Sequence, residues 1–240
     1  MNAIAERRKS PDGETTSDLV VSAKVGLNED TFPRILDLHV PRGATVADVT
    51  YGKGIFWKKV PDGAYNLLAT DIETGVDCRD LPYEDATIDC VVLDPPYMEG
   101  LYRRDKRNLA GDGTFAPFRE TYSNGKTDNG EPKYHAAVID LYVKAGMEAA
   151  RVLKPYGVFI VKCQDEVGAN VQNLTHVELV NAYTAQGFYA RDLFVLVRSN
   201  RPAVSRMVRQ VHARKNHSYF LVFVKTDGGS PRRRMDLWGS

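Results

Sequence analysis

Asp94-Pro95-Pro96-Tyr97 is the stretch of this chain best suited to chemistry. It follows Val91-Val92-Leu93, an apolar run that reads as a buried strand. Neither proline has an N–H for a ladder, so pairing must stop there. Asp94 precedes a proline and is pushed towards extended backbone. The outcome is a stiff strand exit that presents one carboxylate, one proline carbonyl and one aromatic ring. In an open α/β sheet that edge is where ligands bind. A plain proline-rich turn is the alternative, because prolines collect at strand ends.

A second group precedes it. Asp48-x-Thr50-x-Gly52-x-Gly54 stands directly after another strand-like run. Its glycines allow a tight turn and close backbone approach to a ligand, although an ordinary βα turn looks the same. No Gly-Lys-Ser/Thr follows, which excludes a P-loop, and the third glycine of a dinucleotide fingerprint is missing. Asp71 ends the next strand, about twenty residues on, where a carboxylate can accept hydrogen bonds from both hydroxyls of a ribose. Asp77 and Cys78 follow. One aspartate at a strand end is commonplace; four in order along successive strand ends are not.

These residues need a scaffold. The chain has 240 residues, ordinary hydrophobic content and a formal net charge of +1, which bounds it to one substantial α/β domain and names no partner. Strands are predicted at 44–49, 65–70, 88–93, 158–162, 192–197 and 218–224, with a very short one at 76–78. Helices are predicted at 32–39, with capping residues in 28–31, then at 138–152 and near 177–186. The alternation gives a mostly parallel, doubly wound, seven-stranded sheet with an antiparallel C-terminal hairpin. Residues 1–18 and 227–240 read as flexible tails around one domain at 19–226, with a long loop insertion at 98–134. Cys78, Cys90 and Cys163 look like reduced core residues, and the histidines show no metal-ligand spacing. With no signal-like or spanning apolar run, a cytoplasmic protein without metal or membrane is expected.

The same residues resemble the S-adenosylmethionine-dependent amino-methyltransferases, which methylate exocyclic amines of nucleobases. The resemblance spans roughly residues 30 to 225 and implies a single Rossmann-like class I methyltransferase domain. Asp94-Pro95-Pro96-Tyr97 is similar to the family's catalytic motif. Asp48, Thr50, Gly52 and Gly54 match the loop around the methionine moiety, Asp71 the ribose acid, and Asp77-Cys78 the adenine contact. Phe32-Pro33 resembles the segment supporting the cofactor's amino-acid end, and the motif order is gamma-like. The segments after Gly54 and after Asp71 are too short for the family's usual helices, and a separate target-recognition domain is missing. The resemblance implies that Asp94 and the Pro95 carbonyl bind the two N–H groups of an adenine N6 amine, with Tyr97 stacking on a flipped base. It assigns no catalytic role to the cysteines.

Between Asp192 and Asp227 there is no acid, yet Arg198, Arg201, Arg206, Arg209, Arg214 and Lys215 occur. Arg103, Arg104, Lys106 and Arg107 open the long loop, interleaved with aromatic residues. Both segments read as phosphate-contact surfaces, a solvated loop being the alternative. Duplex DNA with a flipped adenine is the expected substrate. RNA bases (guanine N2 or adenine N6), cytosine N4, an inactive nucleic-acid-binding subunit and a homodimer all stay open.

Overall fold

A computed structural model describes residues 19–98, 132, 134–168, 170–199 and 209–227. Its main sheet contains β1 (Ala23–Val25), β2 (Thr45–Asp48), β3 (Asn66–Ala69), β4 (Ile88–Leu93), β5 (Leu153–Cys163), β8 (Phe188–Val197) and β9 (His217–Lys225). The spatial order is β1-β8-β9-β5-β4-β2-β3. β1, β2, β3, β4, β5 and β8 run in parallel, and β9 lies antiparallel between β5 and β8. A separate hairpin joins β6 (Glu166–Gly168) to β7 (Val171–Asn173).

Side chains alternate faces along each strand, so the central parallel strands β2, β4 and β5 feed two cores. On one face α1 (Asn28–His39) buries Phe32, Ile35 and Leu36 against Val46, Val92, Ile160 and Val222. On the other, α2 (His135–Val152) and α3 (Thr175–Ala185) cover Ala47, Val91, Leu93, Phe159, Val161 and Phe223. The stripe Val138, Leu141, Tyr142, Ala145, Ala149 and Val152 on α2 is buried as its 3.6-residue spacing requires. Two buried tyrosine hydroxyls are satisfied: Tyr142 donates to the Lys162 carbonyl (2.7 Å) and Tyr183 to the Tyr142 carbonyl (3.0 Å).

The α2–α3 contact depends on Gly146. A Cβ there would lie 2.3 Å from Tyr183 Cε1 and 2.6 Å from Gln186 Oε1. Gly146→Ala must therefore push the helices apart, and overpacking of this kind costs about 1–3 kcal/mol. A urea melt of the variant should show that loss; an unchanged midpoint would mean the pair re-seats freely.

The sheet has seven strands, but not the expected seven. Residues 76–78 form no strand: Asp77 makes a single bridge to Asp80. Asp71 instead caps a 3₁₀ turn, Ile72–Thr74, accepting from the Glu73 N–H (2.9 Å). A parallel strand needs a crossover of a dozen or more residues, and the link from Ala69 to Val76 is too short. The seventh strand is β1, paired with β8 at the opposite edge, so the β8–β9 hairpin is interior rather than marginal. Asn28–Thr31 are also not caps ahead of a helix. They are its first turn, with Glu29 and Asp30 at the positive end of the dipole.

Candidate active site

Parallel pairing sends the ends of β2, β3, β4 and β5 to one edge of the sheet, and the acids collect there. An open cleft at this edge is lined by Asn28, Asp48, Thr50, Tyr51, Gly52, Lys53, Ile55, Phe56, Asp71, Ile72, Glu73, Asp94 and Pro96.

The loop after β2 is tied to three strand ends. Thr50 N–H donates to Asp48 Oδ1 (3.1 Å), and Gly52 N–H to Asp71 Oδ2 (3.0 Å). The Asp94 N–H donates to Thr50 Oγ1 (2.6 Å), which joins the loop to the exit of β4. Gly52 and Gly54 have φ of +50° and +64°, in the left-handed region that glycine tolerates. A Cβ on Gly54 would also strike the Tyr51 ring, 2.5 Å from its hydroxyl. Trp57, on the 3₁₀ helix Ile55–Lys59, donates its indole N–H to Asp48 Oδ2 (2.7 Å).

Burial sets the electrostatics. Asp48 is 3% exposed, and burial pushes its carboxyl up to about 7 despite the bonds from Trp57 and Thr50. Asp94 is half-buried, its carboxyl raised by desolvation to about 6, with the Lys162 charge and the Tyr97 hydrogen bond opposing. Tyr97 donates its hydroxyl to Asp94 Oδ1 (2.6 Å) and is itself held well above the ordinary phenol range by burial. Four acids, Asp48, Asp71, Glu73 and Asp94, line the cleft against one cation, Lys53. Such a lining favours a ligand that carries positive charge.

The structure brings together Asp48, Thr50, Gly52, Asp71, Asp94 and Pro96, with Pro95 and Tyr97 adjoining and Gly54 closing the loop. Other sequence candidates lie elsewhere. Asp77 is gripped by the Arg79 guanidinium (2.6 Å), and Cys78 is buried in the core beneath α2, both beyond the cleft lining. Cys90 and Cys163 are likewise free and buried. Phe32 packs on Phe56 (5.0 Å between centroids) and so backs the lining, while α1 reaches the cleft through Asn28 rather than through Phe32 or Pro33. Arg103, Arg104, Lys106, Arg107, Arg201 and Arg206 lie outside the described residues. Arg209 and Arg214 are exposed and Lys215 half-buried, all on the segment entering β9. That end of β9 pairs with the carboxyl end of β5, Tyr219 opposite Cys163, so the segment sits on the cleft's edge of the sheet.

Lys162 and Asn28 are residues that the sequence reading missed. Lys162 is 1% exposed, and its ammonium donates to Asn28 Oδ1 (2.8 Å). The signal was present in Val158-x-Ile160-x-Lys162, where period-2 alternation points the lysine inward with two core residues. Among the described residues no group of three or more His, Cys, Asp or Glu is placed to hold a metal ion, and no helix is long and apolar enough to cross a membrane.

An α/β sheet with an acidic cleft at the carboxyl ends of its parallel strands defines a ligand-binding class, and comparison with known proteins narrows it. The DNA methylase family, of the N6/N4 type, matches residues 88–233. The chain belongs to this family. The matched part runs from β4 through β9 and leaves the glycine loop and Asp71 outside it. No curated protein matches. Among solved structures, TrmN from Thermus thermophilus aligns over 81% of this chain and 48% of its own, at 16% identity and a TM-score of 0.45. Another Thermus thermophilus protein, assigned as a DNA modification methylase and complexed with S-adenosyl-L-methionine, aligns over 78% and 57%, at 14% identity and 0.41. The PH0226 protein from Pyrococcus horikoshii OT3 aligns over 82% and 89%, at 14% identity and 0.47. The chain spans about half the length of the first structures that it matches, 48%, 56% and 54%.

Proposed function

We propose that this chain transfers a methyl group from S-adenosylmethionine to the exocyclic N6 amine of adenine in DNA. The observation that carries the reading is the placement of Asp94. Its carboxylate stands at the end of β4 on the rim of an acidic cleft, next to Pro95 in the chain, its backbone N–H fixed on Thr50 and its Oδ1 accepting from Tyr97.

The cleft fits the cofactor's charge. Asp48 is a buried carboxylate whose direct partners are two neutral donors, and it would be stabilised as an anion by a bound cation. Asp71 keeps lone pairs for two ribose hydroxyls while Gly52 holds it in place. The Gly52–Gly54 turn lets backbone approach the amino-acid end. When bound, S-adenosylmethionine supplies a methyl group activated by its sulfonium charge.

An adenine N6 lone pair is delocalised into the ring and is a poor nucleophile. The Tyr97 hydrogen bond engages Asp94 Oδ1, and Oδ2 would be the acceptor offered to the amine. Two acceptors, Asp94 and the Pro95 carbonyl, would take the two N–H groups and favour a more tetrahedral nitrogen. The Asp94-Pro95-Pro96-Tyr97 run thus acts as the catalytic motif in this reading. Alignment supplies much of the acceleration, and no covalent nucleophile is required. Tyr97 stacks on the base once it has left the duplex. Arg209, Arg214 and Lys215 approach phosphates, with Arg103, Arg104, Lys106, Arg107, Arg201 and Arg206 contributing from the adjoining segments.

The test uses deuterated-methyl S-adenosylmethionine with unmethylated genomic DNA and total RNA in separate reactions, digested to nucleosides and read by mass spectrometry. Labelled N6-methyladenine from DNA alone is expected. Label on cytosine N4 or in RNA would overturn the substrate assignment, and label in neither would overturn the activity.

A further inference from the structure

A lysine in a protein interior loses its hydration, so its presence needs a reason beyond stability. Lys162 is buried at the cleft end of β5, with its ammonium 3.8 Å from the centroid of the Phe220 ring and tethered by Asn28. Its backbone is pinned as well, the carbonyl accepting from Tyr142. The β4–β5 register pairs Leu93 with Val161, so the next step along both strands sets Asp94 beside Lys162 on the same face. Lys162 is not among the residues lining the cleft. It acts on Asp94 through its charge, which lowers the carboxyl.

We propose that Lys162 is a positioning residue for methyl transfer, its tethered ammonium keeping the neighbouring Asp94 carboxylate an anion able to accept from the substrate amine. The inference rests on the function proposed above. An exocyclic amine needs an acceptor, and a protonated Asp94 would offer it a donor instead.

Other groups act on the pair. Tyr97 donates to Asp94, Arg198 at the end of β8 adds positive charge, and Asp48 at the end of β2 is close enough to repel it. Cys163 on β5 and Tyr142 on α2 are buried un-ionised, burial raising both. Burial lowers Lys162 to about 8, with Asp94 opposing, so the ammonium is charged at neutral pH and lost above it. The sign follows. Without the ammonium the Asp94 midpoint rises from about 6, and more of it is protonated near neutrality. A neutral substitution should therefore hurt most at low pH and least where Lys162 has already lost its proton.

Two readouts test this. The first needs neither donor nor substrate: Asp94, labelled with ¹³C at Cγ and assigned through Asp94→Asn, is titrated by NMR. Lys162→Met and Lys162→Gln should move its midpoint up by about one pH unit. Lys162→Arg should leave it near the wild-type value. The wild-type resonance should also show a small second inflection near pH 8 as Lys162 deprotonates. An unmoved midpoint overturns the proposal, as does a missing second inflection should the neutral variants fail to fold. The second readout is kcat against pH on DNA. The neutral variants should fall about threefold at pH 6.5, converge with wild type near pH 9, and recover in Lys162→Arg. A loss equal at every pH, or a rise in donor KM with kcat intact, overturns it too. Should wild type transfer no methyl group while the NMR midpoint still shifts, the proposed function fails and the hold of Lys162 on Asp94 stands.

Discussion

Asp94→Ala should reduce methyl transfer by about 10²–10⁴-fold in single-turnover rate, with donor affinity and fold preserved. A hydrogen bond to a charged group contributes about 1.5–3 kcal/mol. Here the lost acceptor also orients the amine, and a misplacement near 1 Å costs about a further hundredfold. The fold should survive because the carboxylate contributes little to it. Its one side-chain bond among the described residues is to Tyr97, and its position in the chain is set by its backbone N–H on Thr50, which alanine keeps. Burial disfavours the anion, so the alanine variant should melt no lower than wild type at pH 8. Asp94→Asn keeps one acceptor oxygen but turns a donor towards the amine or towards Tyr97, and it should fall between the two. A folded alanine variant within tenfold of wild type would remove Asp94 from the mechanism.

Much of this arrangement was legible because it is written in local rules. Val91-Val92-Leu93 had to be a strand and the two prolines had to end it, which placed Asp94 before any contact was known. Asp48 and Asp71 followed from the same reasoning, and both line the cleft. What escaped depends on partners distant in sequence. β1 is three residues long with every side chain exposed, so neither length nor alternation marked it, and only β8 makes it a strand. Residues 76–78 read as a very short strand, but the capped turn after Asp71 consumed the chain that a crossover needs. In Leu153–Cys163 the Lys-Pro-Tyr-Gly run suggested a break. The structure instead carries the strand through it, with Tyr156 at φ +65° and a register shift against β4. Asn28 looked like a capping residue because asparagine caps helices well. Its partner is Lys162, 134 residues away, a separation at which local propensity carries no information.

Donor affinity should rise with pH through about 7, and Asp48 should be the reason. Its folded carboxyl stands near 7 against a usual 3.8, chiefly through burial, with Asp94 and Asp71 adding repulsion. An acid raised in this way favours the protonated folded state, so its contribution to folding is present at low pH and lost as pH climbs from about 4 to 7. At pH 8 the bare protein therefore holds a disfavoured buried anion, at a cost of about 4 kcal/mol. A cationic donor reverses the sign by pairing with that anion. Binding must first expel the Asp48 proton below pH 7, so affinity should fall about tenfold per pH unit there and level off above. Asp94, near 6, adds to the slope only at the acid end. Asp48→Asn separates the two effects: it should flatten the pH dependence and weaken donor binding, yet raise the melting temperature of the donor-free protein at pH 8. Calorimetric titration at pH 6, 7 and 8, with thermal melts of both proteins, reads each term. A wild-type Kd unchanged from pH 6 to 8 would show that Asp48 does not receive the donor's charge. A lowered melting temperature in Asp48→Asn would show that its bonds to Trp57 and Thr50 outweigh the burial of its charge. If both expectations hold, the same carboxylate that weakens the empty fold is the one that selects a cation for the cleft, the trade between stability and function usual at active sites.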